Sequence, residues 1–239
     1  MSGNHDYGSG YFDDSAQKRS FTLSLGLAGV FGLMFLGLAT SGIAAWLTLY
    51  FAPLYNLVYG TQAVFLVVLF LPVGLVMLAF PRIWRMKPAA AVLLFFVYAL
   101  LNGVTLSFIF LVYHIGTIML AFLSAAGMFG VMALFGALTK SDLSGTRSFL
   151  MMGLFGIIIA SVLNFFLANT ALDMVISYVG IAVFLGLTAY HVQNIKRQME
   201  MYGGRAPAAA MVSGALHLYL SFINIFLLLL RLSIRRRWR

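Results

Sequence analysis

Near the carboxyl end, a few polar side chains interrupt a run otherwise built for lipid: His191 and Asn194 follow Tyr190, and His217, Ser221 and Asn224 lie within the segment 216–226. A polar group inside a lipid-spanning helix is costly, which makes each of these a candidate for function. Histidine titrates near pH 6.5, so a histidine pair could act as a proton switch. His217 and Ser221 are four residues apart and share a helix face, and Asn224 lies one turn further on. If that face meets His191, two imidazoles and a hydroxyl form a cluster, and protonation makes like charges repel. The plainer readings are an interfacial His191 donating to a helix carbonyl, and asparagines, Asn102 and Asn164 included, that join helices. Two histidines leave a zinc shell incomplete. Ser213 also shares a face with His217, the spacing of a nucleophile and its base, but no oxyanion-stabilising loop pattern accompanies it. Asp6, Asp13, Asp14, Asp142, Asp173 and Glu200 all lie outside the apolar segments or at an edge. Paired intramembrane acids are therefore absent, and no lysine in the last segment could form a Schiff base. The sequence predicts neither an enzyme nor a cofactor.

The elements that position these residues follow from composition. Hydrophobic residues make up 62% of the 239 and charged residues 9%, against roughly 25% charged in soluble domains. Such a chain needs the bilayer as its solvent. About 20 apolar residues span a membrane as a helix, and seven segments qualify: 21–51, 61–80, 89–111, 115–138, 148–168, 174–190 and 208–230. The fold class is an all-α membrane protein, a seven-helix transmembrane bundle over residues 21–231. Residues 1–20 read as a disordered cytoplasmic tail, with no cleavable signal, and 232–239 as a basic tail. Pro72 is expected to kink the second span. Gly37 with Ser41, Gly127 with Gly130, and Gly153 with Gly156 suggest close helix approach. Trp46, Trp84, Trp238, Tyr50, Tyr55, Tyr59 and Tyr202 suit interfacial belts. Cysteine is absent, which removes disulfides and thiolate chemistry.

The net charge of +9 does not point to nucleic acid, because the basic residues lie in short patches beside the spans, where they set orientation. Lys18 and Arg19 precede the first span. Arg82, Arg85 and Lys87 follow the second, Lys140 and Arg147 the fourth, and Lys196, Arg197 and Arg205 the sixth. The alternate connections carry no lysine or arginine. This places the amino terminus in the cytoplasm. Seven spans then put Arg231, Arg235, Arg236, Arg237 and Arg239 outside, against the rule. A re-entrant last segment is the alternative.

The stretch Gly186-Leu187-Thr188-Ala189-Tyr190-x-x-Gln193-x-Ile195-Lys196, with Leu218-Tyr219-Leu220-x-Phe222-Ile223-Asn224-Ile225-Phe226-x-x-x-Leu230-Arg231, resembles the Bax inhibitor-1 family in its bacterial form. Asn102-Gly103-Val104-Thr105-Leu106 and Ser161-x-x-Asn164 resemble it too. The resemblance implies a bundle with the last helix central and a pH-sensitive leak for calcium or other cations, or a stress-linked membrane regulator. It also implies a sensor of two aspartates, whose positions are held here by His191 and Ser221, and an assisting arginine, Arg82 or Arg85. Neither residue supplies the carboxylates that calcium prefers, nor can they share a proton as two acids do. His191, Ser221, His217, Arg82, Arg85 and Asn224 are thus the pathway and sensor candidates. The competing expectation is a member that does not conduct and works through membrane partners such as quality-control proteases.

Overall fold

The computed structural model describes residues 9–202 and 207–235. The expected tail residues 1–8, together with Arg205, Arg236, Arg237, Trp238 and Arg239, lie outside the described residues. Helix α1 runs Ser9–Tyr50, α2 Ala52–Tyr59, α3 Gln62–Ala79, α4 Pro88–Leu106, α5 Phe108–Val112, α6 Ile115–Leu138, α7 Thr146–Leu167, α8 Thr170–Met201 and α9 Ala208–Arg235. A 3-10 turn, Phe80–Arg85, extends α3. Among the described residues seven helical spans are long and apolar enough to cross a membrane, with α4 and α5 together making one of them. The fold class is as the sequence predicts.

Prolines and polar caps mark the ends. Pro53 and Pro88 occupy the first turns of α2 and α4, where the missing N–H costs no helical bond. Asn169 caps α8, its Oδ1 accepting from the amides of Ala171 (2.9 Å) and Leu172 (3.1 Å), and Asp173 sits in that first turn, where a negative charge suits the helix dipole. The third span breaks at Ser107, whose hydroxyl donates to the Val104 carbonyl at 2.6 Å, while the Tyr59 hydroxyl lies 2.8 Å from Ser107 Oγ.

Three boundaries differ from the sequence expectation. Residues 9–20, expected as disordered, belong to α1. Residues 232–235, expected in the basic tail, continue α9. The sixth span, expected to stop at Tyr190, runs as helix to Met201. Its polar last turns are paid for by contacts with the loop 139–145, since helix ends are stabilised mostly by their tertiary partners.

Helix α9 is the axis of the bundle: 56% of its span is buried, against 6% for α7. It packs on α8, α1, α6 and α4. Helix α9 is one unbroken helix of 28 residues, long and apolar enough to cross a membrane. Two glycines set the closest crossings. A Cβ at Gly103 of α4 would lie 2.3 Å from the Ser41 carbonyl of α1, and one at Gly136 of α6 would lie 2.3 Å from the Ala189 carbonyl of α8. Gly127, Gly130 and Gly156, expected to serve such approaches, face open space. Gly37 and Gly153 do meet neighbours, at Phe95 and Val183.

Candidate functional site

The polar residues of the last third converge on the seam where α8 and α9 run antiparallel. At the end carrying the basic loops, the His191 and His217 rings stack, with centroids 4.6 Å apart and planes inclined by 27°. Tyr190 meets His191 edge-on at 5.3 Å. His217 Nδ1 lies 2.7 Å from the Ser213 carbonyl. A carbonyl only accepts, so Nδ1 carries the proton and Nε2 is the acceptor of the neutral ring. This bond runs to the Ser213 backbone, so His217 is not poised as a base for the Ser213 hydroxyl. The rings face a small polar cleft shared with Asn194, Gln198, Ser213 and Gly214. Arg147, in the first turn of α7, lies near enough for its charge to act on both rings.

Along the seam the polar character continues. Ser221 is buried one turn beyond His217, and the antiparallel register puts it level with Thr188, also buried, whose hydroxyl donates to the Phe184 carbonyl at 2.8 Å. Asn224 donates to the Leu220 carbonyl of its own helix at 2.7 Å, so it caps an internal turn instead of joining helices. Beyond it the seam is apolar, with Leu228 lying over Gly180.

At the opposite end Asp173 forms an ion pair with Arg231. Asn164 of α7 donates to the same carboxylate oxygen at 3.3 Å and accepts from the Asn169 amide at 3.1 Å. Asp173, placed by the sequence outside the apolar segments or at an edge, lies far from the histidines and serves a second site. Its signal in the sequence was an acid in the first turn after an Asn cap, together with an arginine ending the last helix.

A third polar group lies on the other side of α9. Tyr219 is fully buried. Asn102 donates to its oxygen at 2.8 Å. Ser41 gives its proton to the Ala99 carbonyl at 2.7 Å, with the Gly37 carbonyl at 3.0 Å, which leaves the tyrosine as donor to Ser41 Oγ at 2.7 Å. Phe95 and Tyr98 enclose the ring edge-on, with centroids at 5.9 and 5.7 Å. Every strong donor in the group is used, as a buried polar network requires. Asn102 therefore does join helices, as expected.

The residues after Tyr190 hold a loop. Gln193 accepts from the Leu143 amide at 2.8 Å and donates to the Ser141 carbonyl at 2.7 Å. Lys196 donates to the Ala137 carbonyl at 3.0 Å, at the negative end of α6. Arg197 pairs with Asp142 at 2.9 Å and donates to Ser144 Oγ at 2.6 Å. The amide and hydroxyl of Ser144, with Arg197, pull the Asp142 carboxyl down to about 2, so it stays ionised throughout the range where histidine titrates. Arg82 and Arg85 are exposed, and the Arg82 guanidinium donates to the Leu78 carbonyl of its own helix. Among the described residues no contact joins either arginine to the histidine pair; the arginine charge that acts on it is that of Arg147. Nor do three potential metal-ligating His, Cys, Asp or Glu residues gather anywhere among the described residues.

Comparison with known proteins covers nearly the whole chain. A family model described as "Inhibitor of apoptosis-promoting Bax1" matches residues 24–238. The chain is 40% identical over 228 residues to the inner membrane protein YbhL of Escherichia coli strain K12, covering 94% of this chain and 97% of that one. An uncharacterized protein of Borreliella burgdorferi is 39% identical over 88% of this chain and 92% of its own. One of Caulobacter vibrioides is 35% identical over 95% and 96%.

Proposed function

Because this chain belongs to the Bax inhibitor-1 family, we propose that it is a pH-responsive ion leak pathway along the α8–α9 seam, in a bacterial inner membrane with its amino terminus in the cytoplasm. The stack of His191 on His217 carries this reading. It lies at one end of the seam, and His191 stands where the family resemblance places a sensor acid.

Neutral imidazoles stack favourably, by roughly 1 kcal/mol for an aromatic pair. Two imidazolium charges 4.6 Å apart repel by about 4 kcal/mol at an effective dielectric near 20. Arg147 adds to the positive charge facing them. Double protonation therefore overturns the stack and loosens the α8–α9 contact at that end. The cations carried are monovalent in preference to calcium, because His191, His217, Ser221 and Asn224 offer no carboxylate, and calcium takes six to eight oxygens with carboxylates among them. No catalytic role is assigned to the cleft.

The test is ion flux in proteoliposomes from about pH 5 to 8, the window of histidine titration. Potassium and calcium are compared for the native chain and His191→Ala. Flux that rises towards acid in the native protein and loses that dependence in the variant supports the proposal; the same profile in both sinks it. One observation favours a second reading, a member that does not conduct and acts on membrane partners such as quality-control proteases. The seam is closed one turn from the Asp173–Arg231 pair, where Leu228 lies over Gly180. No flux of either ion at any pH, from a well-folded sample, selects that reading.

A further inference from the structure

On the side of the bundle away from α7, helices α1 and α6 stand apart, and α9 forms the floor between them. The gap is a cavity of about 490 Å³. Phe35 and Met119 line its rim and are exposed, whereas Phe222, Ile223 and Phe226 of α9 line its floor and are buried. Its one polar lining side chain, Ser41, is already spent on the Ala99 carbonyl and Tyr219.

We propose that this cavity binds an acyl chain of a membrane phospholipid, reaching through the α1–α6 gap to the central helix. Three observations select that occupant. The cavity is continuous with the apolar surface that faces the bilayer, since its rim residues are themselves exposed, so lipid tails are its neighbours. Water is a poor occupant, because it needs two to four polar partners and the only lining hydroxyl is engaged. The size fits as well: an apolar cavity of about 150 Å³ takes a benzene ring, and this one has room for a chain segment several times larger. Leaving it empty would forfeit the packing contacts of its lining. The bound chain would lie directly on Phe222 and beside Ser41, so it touches both α9 and the hydroxyl network that anchors α9 to α1.

Gly42 gives a clean test. It lines the cavity, and a Cβ there meets nothing within 4 Å, so Gly42→Phe starts a bulky side chain at the cavity wall from an open position. Gly32, on the same helix and outside the cavity, is equally open, which makes Gly32→Phe the matched control. The full chain is placed in vesicles of phosphatidylethanolamine and phosphatidylglycerol doped with a phosphatidylethanolamine that bears a photoreactive diazirine on its acyl chain. After illumination, adducts are mapped by peptide mass spectrometry. The expected result is an adduct on the α9 peptide containing Phe222 and Phe226 in the native chain and in Gly32→Phe, lost in Gly42→Phe. Adducts on the exposed face of α7, such as Phe165 and Phe166, should be equal in all three. An α9 adduct undiminished in Gly42→Phe, or absent from the native chain, overturns the proposal. So does photo-methionine at Met119 that joins the chain to a second copy instead of to lipid.

Discussion

Removing either partner of the Asp173–Arg231 pair should weaken the bundle, and by unequal amounts. The Asp173 side chain is 8% exposed and that of Arg231 is 38% exposed. Breaking a buried ion pair from one side costs about 3–5 kcal/mol, mostly from the charge left behind. Arg231→Gln leaves the buried carboxylate without its guanidinium, so the full lower figure of about 3 kcal/mol applies. Asp173→Asn leaves a guanidinium that can reach solvent or head groups and keeps an oxygen for Asn164, so screening cuts the cost to about 1–2 kcal/mol. For a chain of this length 1 kcal/mol shifts the melting temperature by about 2–4 °C. Thermal unfolding in detergent, followed by tryptophan fluorescence, should therefore fall by about 6–12 °C for Arg231→Gln and about half that for Asp173→Asn. The double replacement Asp173→Asn with Arg231→Gln removes both charges and should melt above Arg231→Gln alone. Strictly additive losses, or a larger loss for Asp173→Asn, would refute the assignment of the carboxylate as the buried member of the pair. They would equally refute the placing of the end of α9 beside the start of α8.

Two further outcomes follow from the packing and the loop. Gly136→Ala pushes a Cβ against the Ala189 carbonyl and should cost about 3 kcal/mol or more as α6 and α8 are forced apart, whereas Gly127→Ala, in open space, should be neutral or stabilising by up to about 1 kcal/mol; the same melting assay separates them. The Asp142 carboxyl is held down to about 2, below the ordinary value near 3.9, so its contribution to the 139–145 loop is fully present above about pH 4 and is lost as pH falls towards 2. Amide hydrogen exchange of that loop should show this loss in the native chain and not in Asp142→Asn, with no change between about pH 5 and 8 where histidine titrates.

The spans were legible because lipid imposes a length and a composition that few other constraints imitate. Their ends were less so. Residues 191–201 are too polar to read as a span, and they are helical because Gln193, Lys196 and Arg197 hold a loop that lies elsewhere in the sequence. Glycine spacing showed which residues are small but not which face they occupy. Hence Gly127 and Gly130 were expected at a crossing that Gly103 and Gly136 make. The stack of His191 on His217 was readable as a conditional, from a shared face on α9 and a histidine ending the apolar part of α8. The far ion pair was not. Asp173 looked like an edge residue, and only the antiparallel register of α8 and α9 brings Arg231 to it.

That register also says where an acid response would act. Helix α9 is tied by three contacts. Arg231 holds it to Asp173 at one end, and the Tyr219–Ser41–Asn102 network, two residues from His217, holds it to α1 and α4. The contact of His217 with α8 is the one that histidine titration alters. A guanidinium keeps its charge at any ordinary pH, and the network's hydroxyls and amide are neutral there. The roughly 4 kcal/mol of imidazolium repulsion exceeds the stack's own stabilisation of roughly 1 kcal/mol. It does not exceed the stack together with the two network hydrogen bonds to Tyr219 at roughly 1 kcal/mol each and the far ion pair. Protonation can therefore overturn the near contact but not release the whole helix. The consequence is a splaying of the first turns of α9 from α8, opening the cleft around Asn194 and Gln198, while Leu228 stays seated over Gly180. Conduction would then need the seam between Asn224 and Leu228 to yield as well, which makes that apolar stretch, and not the histidines alone, the limiting barrier.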